Sequence, residues 1–366
     1  MAKKNLGKVK RYRRSFYSGR QRAARIAGGV VALVALFAVG WLAAPAVINW
    51  GTSTWYSITR DDSNATVSST VTSTSQPAAE NESQSQAASE PQATPQPQKN
   101  DMTQGSWAFV DPASLTSADA AKQTAQQLAG EGVRYAVVTL KDSGGNVYYA
   151  SALPAAASSL SATQIDGKAV ASAFTEQGIV PVAGVCAFQD PLAASANRDM
   201  AVKYQGSDYL WLDAAQDKGG KAWLNPYSSA AVEYIGGIID EAKAMGFEQV
   251  WLTGVQFPTT AGRDKATYGD TAGVTEAQCL ANALSTWQEK ATCWVEYPLN
   301  VASGQEIRLT GGTIDALGIE NLAIRVDGEL TEETQTQLDT AKAAAKGSTY
   351  VGVRTGDVFA VEAANQ

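Results

Sequence analysis

The sequence predicts an α/β domain built as a (β/α) barrel of the TIM type, abbreviated in its C-terminal part, behind one transmembrane helix and a disordered stalk. Short, almost continuously apolar stretches alternate with helical patterns from residue 105 onward, as in parallel sheets covered on both faces. About 260 residues remain in that part, enough for one barrel. No GxGxxG or GxxxxGK[ST] motif follows a strand, so an open nucleotide-binding sheet is less favoured.

The basic N-terminus and the apolar run after it predict a membrane anchor. Residues 1–25 carry ten Lys and Arg side chains and no acid, which is typical of a cytoplasmic flank. Residues 26–50 carry no charge, and roughly 20 apolar residues suffice to cross a bilayer. A cleaved signal is the alternative because Ala44-Pro45-Ala46 loosely resembles a cleavage site, but its proline and the length of the run favour an uncleaved anchor. We therefore expect a single-pass cell-membrane protein with a cytoplasmic N-terminus and an extracellular C-terminal domain.

Residues 51–104 are predicted to form a disordered stalk between the anchor and the domain at 105–366. After Tyr56 the segment holds no aromatic residue and consists mostly of Ser, Thr, Gln, Ala, Pro, Asn and Glu. Such a composition cannot bury enough apolar surface to offset the entropy of the chain.

The composition excludes several classes of site. The chain has a net charge of −7 although its tail is strongly basic, so the outer part is acidic and we expect no nucleic-acid partner. It contains no histidine, which excludes Ser-His-Asp and Cys-His catalysis and His-ligated zinc. Cys186, Cys279 and Cys293 are too few and too far apart for a metal site; we expect buried thiols, with a Cys279–Cys293 disulfide as the alternative. We predict no metal and no cofactor.

The predicted elements follow one another without a break. The strand WAFVDP leads to a helix that Gly130 ends, and the strand VRYAVVTL leads to a helix that Gly178 ends. The strand IVPVAGVCAF then precedes a long polar and aromatic segment. At Asn225-Pro226, a cap residue and a proline begin the clearest helix, whose apolar side chains recur every three or four residues up to Gly246.

The second half of the domain repeats this alternation less regularly. It contains the fourth strand FEQVWLTGVQFP, a helix over about 275–290, the strands CWVEYP and NLAIRV, a helix over about 331–346 and the strand TYVGVR. No good helix is visible over 304–321. The later part of the barrel is therefore expected to be abbreviated.

Functional side chains of such barrels lie at the carboxyl ends of the strands. Here those ends carry Lys141, Asp142, Asp190, Thr253, Gln256, Glu296, Tyr297 and Asp327. The segment before the long helix adds rings and an amide, namely Tyr209, Trp211, Trp223, Asn225 and Tyr227. Carboxylates beside Trp and Tyr suit sugar recognition, since sugar CH faces pack on rings and hydroxyls bond to carboxylates and amides.

At these residues the sequence resembles a bacterial family of glycoside hydrolase domains, which are alpha-amylase-like TIM barrels. The resemblance rests on VVTLKDSGGNVYYAS, VCAFQDPLAASANRDMAVK and KAWLNPYSSAAVEYIGGIIDEAKAMGFEQVWLTGVQFP. The last stretch is the most specific, because it fixes a Trp, an Asn-Pro-Tyr cap, a helix and a strand ending in Phe-Pro in one order. The resemblance implies the remains of a glycosidase cleft, in which Asp142 and Asp190 keep the family pattern.

The resemblance also implies missing catalytic groups. Family members typically end the fourth strand with an Asp and an Arg where this chain has Thr253 and Gln256, and commonly bear an acid where Thr139 stands. Glycoside hydrolysis normally needs two carboxylates, so we expect a weakened or absent hydrolase. We predict a membrane-tethered module that binds a cell-envelope polysaccharide or an envelope protein.

An active glycosidase that acts on cell-wall or surface polysaccharide is the alternative, with Glu296 and either Asp190 or Asp142 as its catalytic carboxylates. In either case the predicted ligand contacts are Lys141, Trp211, Trp223, Asn225, Tyr227, Gln256 and Tyr297. Structural roles stay open: Glu296 as a solvated strand-end acid, Asp142 and Asp190 as turn caps, and the two tryptophans as packing residues. For Lys141 a contact with a phosphate or carboxylate and a salt bridge to Asp190 both stay open. A purely structural envelope protein also stays open, because a fold does not fix a function.

Overall fold

A computed structural model describes residues 105–258 and 262–364, which form ten strands and seven α-helices. The strands are β1 (Ser106–Val110), β2 (Val133–Lys141), β3 (Val180–Cys186), β4 (Lys203–Tyr204), β5 (Gln249–Thr253), β6 (Ala266–Thr267), β7 (Thr292–Pro298), β8 (Asn321–Val326), β9 (Tyr350–Thr355) and β10 (Val358–Ala363). The helices are α1 (Ala118–Gly130), α2 (Gly167–Glu176), α3 (Pro191–Ala196), α4 (Ser229–Met245), α5 (Glu276–Gln288), α6 (Leu299–Ala302) and α7 (Glu332–Ala344).

The anchor and the stalk predicted for residues 1–104 lie outside the described residues. Over 105–258 and 262–364, no helix combines the length and the apolar character that a bilayer span requires.

Eight strands form one mixed sheet in the order β1-β2-β3-β5-β7-β8-β9-β10. Neighbouring strands are parallel up to β9, and β10 is antiparallel to β9. The short strands β4 and β6 pair with each other separately. The predicted α/β class is confirmed, and the sheet is TIM-barrel-like.

The sheet differs from a TIM barrel at its C-terminal end, where the sequence analysis missed β10. This strand returns along β9 after a two-residue turn, so that Val358 pairs with Thr355. Gly356 in the turn has a φ of 58°, a left-handed conformation that glycine adopts without a steric penalty. Among the described residues no backbone ladder joins β1 to β10, so backbone pairing does not close the barrel.

Aromatic side chains fill the inner face of the sheet and bring its two edges together. The ring of Phe359 in β10 lies 5.1 Å from that of Trp107 in β1, and 4.8 and 5.2 Å from those of Trp251 and Trp294. Gly352 in β9 leaves room for it, since a Cβ there would lie 2.1 Å from the Phe359 ring. Side-chain packing therefore joins the strands that backbone hydrogen bonds do not.

The structure corrects the predicted start of the longest helix, α4, and confirms its predicted end. It begins at Ser229 rather than at Asn225-Pro226, because the Ser228 side chain caps it by accepting from the N–H of Ala231. The segment before it forms a turn, in which Ser228 N–H donates to the Asn225 carbonyl at 2.9 Å. Gly246 ends the helix in the left-handed conformation, as predicted.

The connection between β7 and β8 confirms the expected abbreviation. It contains the four-residue α6 and a 3-10 helix at Ile314–Leu317 in place of a full crossover helix.

We predict that Gly352→Ala lowers the free energy of unfolding by about 1–3 kcal/mol, because the added methyl group displaces the Phe359 ring. Urea unfolding followed by tryptophan fluorescence measures this, since the same interior holds three tryptophans. Gly347→Ala is the matched control, because no atom lies within 4 Å of its added Cβ, and we expect a change below about 0.5 kcal/mol. Equal losses in both variants would contradict the assigned packing.

Candidate functional site

A cleft of about 430 Å³ opens at the carboxyl ends of β1, β2, β3, β5 and β9. TIM-barrel proteins hold their functional sites at this end of the sheet. The lining combines apolar rings, acids, hydroxyls and two cations. The lining includes Phe109, Asp111, Thr139, Lys141, Asp142, Tyr148, Trp251, Thr253 and Arg354.

Two threonines line the cleft at positions that the family resemblance singles out. Thr139 lies in β2, and Thr253 ends β5, the fourth strand of the predicted series. Thr253 pairs with Cys186, the last residue of β3. The two positions at which the resemblance implies acids therefore face the cleft, and both are neutral in this chain.

Asp142 is held by a dense set of hydrogen bonds at the rim of the cleft. Its carboxylate accepts from the backbone N–H groups of Gly144 and Asn146 at 2.9 and 2.8 Å, and from the Tyr148 hydroxyl at 2.8 Å. Burial acts to raise the pKa of Asp142, but the hydrogen bonds outweigh it and lower the pKa below its usual 3.8. Burial and the bond to Asp142 raise the pKa of Tyr148 to about 12. At neutral pH the cleft thus holds an ionised carboxylate beside a protonated phenol.

Asp111 is a second cleft acid, which the sequence analysis missed. It follows β1, and its carboxylate accepts from the N–H of Ala113 at 2.8 Å at the start of a 3-10 helix. Within the described residues, neither Asp111 nor Asp142 forms an ion pair with a Lys or Arg side chain. The sequence does indicate this acid, because Asp111 directly follows the predicted strand in WAFVDP.

A buried ion pair lies beneath the cleft wall. Lys141 Nζ is 3.0 Å from Asp190 Oδ2, and both side chains are fully buried. The same Nζ donates to the carbonyl of Cys186 at 2.6 Å, and Asp190 Oδ1 caps α3 by accepting from the N–H of Ala193 at 2.8 Å. Lys141 lines the cleft and Asp190 does not, so we leave Asp190 out of the proposed site.

Both carboxylate oxygens of Glu296 are occupied by protein donors. Oε1 accepts from Arg325 at 3.2 Å, and Oε2 accepts from Arg354 at 2.8 Å and from the indole N–H of Trp251 at 3.1 Å. Glu296 is only 5% exposed, so it is not a solvated strand-end acid. The Arg354 guanidinium also stacks on the Phe109 ring at 3.5 Å. Because Arg354 and Trp251 line the cleft, they stand between it and Glu296.

The two predicted tryptophan platforms pack in a separate cluster beside the β4–β6 pair. Trp211 and Trp223 are 1% and 5% exposed. Their indole N–H groups donate to the carbonyl of Gly262 at 3.0 Å and to the carboxylate of Asp213 at 3.1 Å. Neither ring offers a free face to a ligand, so we leave both out of the proposed site.

The remaining predicted contacts also lie away from the cleft lining. The Asn225 amide donates to a backbone carbonyl at 3.0 Å and accepts from the N–H of Tyr227 at 3.1 Å. Tyr297 is buried, its hydroxyl donates to a backbone carbonyl, and burial raises its pKa. Gln256 is half-buried, and Asp327 is exposed beside an arginine of β8.

Over the described ranges, no group of three or more His, Cys, Asp or Glu side chains could hold a metal ion. The three cysteines are buried free thiols, so the Cys279–Cys293 disulfide considered as an alternative is wrong.

A family model described as "Putative glycosyl hydrolase domain" matches residues 109–301, which is more than half of the chain. The chain belongs to this family. The match confirms the resemblance of the sequence to glycoside hydrolase domains. It extends from β1 through β7. It ends before β8, so Arg325 and Arg354, the two cations that bind Glu296, lie beyond the matched segment.

Several solved structures are similar to the glycosyl hydrolase domain. A hypothetical protein of Ruminiclostridium thermocellum matches with a TM-score of 0.45 and 21% identity over 51% of this chain and 96% of that one. The GH20 β-N-acetylhexosaminidase of Streptomyces coelicolor A3(2) matches with a TM-score of 0.42 and 11% identity, over 69% of this chain and 48% of that one. The GH20 exo-β-N-acetylglucosaminidase of Vibrio harveyi matches with a TM-score of 0.45 and 12% identity, over 68% of this chain and 41% of that one. This chain therefore spans less than half of either GH20 enzyme. No curated protein matches the sequence.

Removal of Lys141 leaves the Asp190 carboxylate buried without its cation. We predict that Lys141→Met lowers the free energy of unfolding by about 3–5 kcal/mol. Adding Asp190→Asn should recover a large part of this loss, because it removes the buried charge and keeps an oxygen for the cap of α3. Urea unfolding of the single and double variants measures the difference. An equally unstable double variant would contradict the role of the ion pair.

The lowered pKa of Asp142 predicts a pH-dependent contribution to stability. The ionised carboxylate stabilises the fold above its usual pKa of 3.8, and this contribution is lost as the pH falls through the lower folded-state value. We predict that Asp142→Asn melts below the wild type at about pH 7 and that the gap narrows below about pH 4. Melting temperatures over this pH range test this. Asp119→Asn, at an exposed position in α1, is the control. A gap that stays constant with pH would argue against the assigned role.

Proposed function

We propose that this protein is a membrane-anchored, extracytoplasmic glycoside hydrolase-like domain that binds a cell-envelope glycan without hydrolysing it. One observation carries the proposal: Thr139 and Thr253 put neutral hydroxyls in the cleft at the two positions where the family resemblance implies acids. A threonine hydroxyl can donate to and accept from a sugar, but it cannot replace a glycosidase carboxylate.

The other candidate carboxylates favour binding over hydrolysis. A glycosidase needs two carboxyl groups that reach one glycosidic bond. Both oxygens of Glu296 are engaged by arginines, and Asp190 is fully buried against Lys141. Neither acid offers a free oxygen to the cleft.

The shape and the lining of the cleft support a saccharide ligand. Its volume of about 430 Å³ falls in the range of roughly 300–1,000 Å³ that is usual for small-molecule sites. Phe109 and Trp251 give it apolar surface, Thr139 and Thr253 give it hydroxyl groups, and the Tyr148 oxygen, whose O–H donates to Asp142, remains an acceptor. Sugars present both kinds of surface, CH faces and hydroxyl groups.

The proposed location rests on the N-terminal sequence. The basic residues 1–25 and the uncharged residues 26–50 support an anchor with a cytoplasmic tail. The polar composition of residues 51–104 supports a spacer between this anchor and the domain, which would put envelope polysaccharides within reach of the domain.

A second candidate function, an active glycosidase, is favoured by one observation. Asp111 and Asp142 line the same cleft. In this candidate Asp111 and Asp142 would be the two carboxylates that glycoside hydrolysis needs. A measurement of glycan hydrolysis distinguishes the active glycosidase from a domain that only binds the glycan.

The test uses the full chain in detergent, incubated with peptidoglycan fragments and with soluble surface polysaccharides. We predict saturable binding with no release of reducing ends above that of heat-denatured protein. Asp142→Asn should weaken binding by about tenfold, as expected when a charged hydrogen-bond partner is lost, and the exposed control Asp119→Asn should not.

Release of reducing ends that disappears in both Asp111→Asn and Asp142→Asn would replace the binding proposal by the glycosidase. Release that survives both substitutions would contradict the two candidates alike. Absence of binding to every glycan tested would overturn the first proposal.

A further inference from the structure

A second groove lies on the segment between β3 and α4, and we call it the Tyr209 groove. It has a volume of about 450 Å³. Its floor is apolar and includes Pro191, Leu210 and Leu212, and its rim carries Tyr209 and two basic residues, Arg198 and Lys221. This groove shares no lining residue with the cleft.

Tyr209 is the most exposed large apolar side chain among the described residues, with 76% of its surface accessible. Its backbone is fixed nevertheless. The Tyr204 N–H donates to the Tyr209 carbonyl at 2.8 Å, and Lys203 forms a β-bridge with Leu210. An aromatic face held by an ordered hairpin loses little entropy when a sugar ring packs on it.

The charge of the Tyr209 groove is opposite to that of the domain around it. Neither Arg198 nor Lys221 forms an ion pair with a carboxylate of the described residues, and no acid belongs to the groove lining. Two acids of the same segment lie close to Lys203, whereas the exposed Asp217, next to Gln216 of the groove, does not line it. Asp199 and Asp208 lie 3.7 and 3.4 Å from Lys203 Nζ.

Asp213, the nearest acid along the chain to the groove floor, is also engaged. Its carboxylate accepts from the Lys221 N–H at 2.7 Å and from the Trp223 indole at 3.1 Å. Arg198 donates to the backbone carbonyl of Asp208, and neither it nor Lys221 forms an ion pair among the described residues. Two cations beside an exposed ring can therefore bind an anionic ligand that has a packing face.

The groove and the cleft are neighbours at the same end of the sheet. Leu192 of α3 lines the groove, and a Cβ at Gly145 would lie 3.1 Å from its Cβ. Gly145 belongs to the turn that begins at Asp142, a cleft residue. A polysaccharide of several sugar units can therefore contact both the groove and the cleft, whereas a single sugar cannot.

We propose that the Tyr209 groove is a second glycan-binding site, which selects a polysaccharide that carries acidic groups. A sugar ring packs on Tyr209 and its carboxylate or phosphate binds Arg198 and Lys221. The groove binds independently of the cleft, so it does not depend on whether the cleft binds or hydrolyses a glycan.

The test measures affinity of the full chain in detergent for three polymers: polygalacturonate, poly(glycerol phosphate) and neutral dextran. We expect at least one acidic polymer to bind more tightly than dextran, with an affinity that falls as salt is added. Comparison of the two acidic polymers separates carboxylate from phosphate recognition. Tyr209→Ala and Lys221→Glu should each weaken that binding by at least about tenfold.

Two matched controls separate the site from general effects. Tyr204→Ala removes a ring of the same hairpin that does not line the groove, and Lys122→Glu makes the same charge change on α1. Both should leave affinity within about twofold of the wild type. Equal losses in these controls, equal affinity for dextran, or no acidic polymer bound would overturn the proposal. Loss of acidic-polymer binding in Asp142→Asn but not in Tyr209→Ala would overturn it while leaving the cleft proposal intact.

Discussion

The packing of Phe359 is the interaction on which the arrangement of the sheet depends. Its ring meets three tryptophans edge to face at 4.8–5.2 Å, a favoured geometry for aromatic pairs. It thereby joins the last strand to the first without a backbone ladder and fills the interior. The interior is filled by these rings, and the cleft lies at the carboxyl ends of the strands. The position of Trp251 in this cluster also aims its indole N–H at Glu296.

Glu296 shows how the same packing turned a strand-end acid into a structural group. A buried carboxylate is costly unless cations and hydrogen bonds compensate it. Arg325 and Arg354 supply that compensation from β8 and β9, beyond the segment 109–301 that the family model matches. Arg354 at the same time closes the cleft wall by stacking on Phe109. The two guanidinium groups hold the carboxylate of Glu296, which thereby links β7 to β8 and β9 and does not line the cleft.

Local patterns were sufficient to predict most elements and the end of the sheet that holds the cleft. The apolar strands, the cap at Gly246 and the placing of Thr139 and Thr253 at strand ends all follow from periodicity and parallel order. Contacts between distant segments could not be predicted in this way. Tyr209 and Trp211 are an example. Both stand in one hairpin, yet Trp211 is buried because it packs against Val202 and Trp223 and donates to the carbonyl of Gly262, whereas Tyr209 is exposed. The sequence left a salt bridge from Lys141 to Asp190 open beside a ligand contact, and the structure shows that the pair forms and is fully buried.

Thr253 and Gln256 bear on how this fold accommodates neutral side chains at the end of the fourth strand. Breaking a buried or half-buried ion pair by replacing one partner costs about 3–5 kcal/mol, whereas replacing both by neutral groups is often tolerated. The resemblance implies an acid and a guanidinium where Thr253 and Gln256 stand, so two opposite charges are absent together. Lys141 and Asp190, by contrast, are both present and fully buried. Asp111 and Asp142, which form no ion pair with a Lys or Arg of the described residues, are the acids at strand ends that line the cleft.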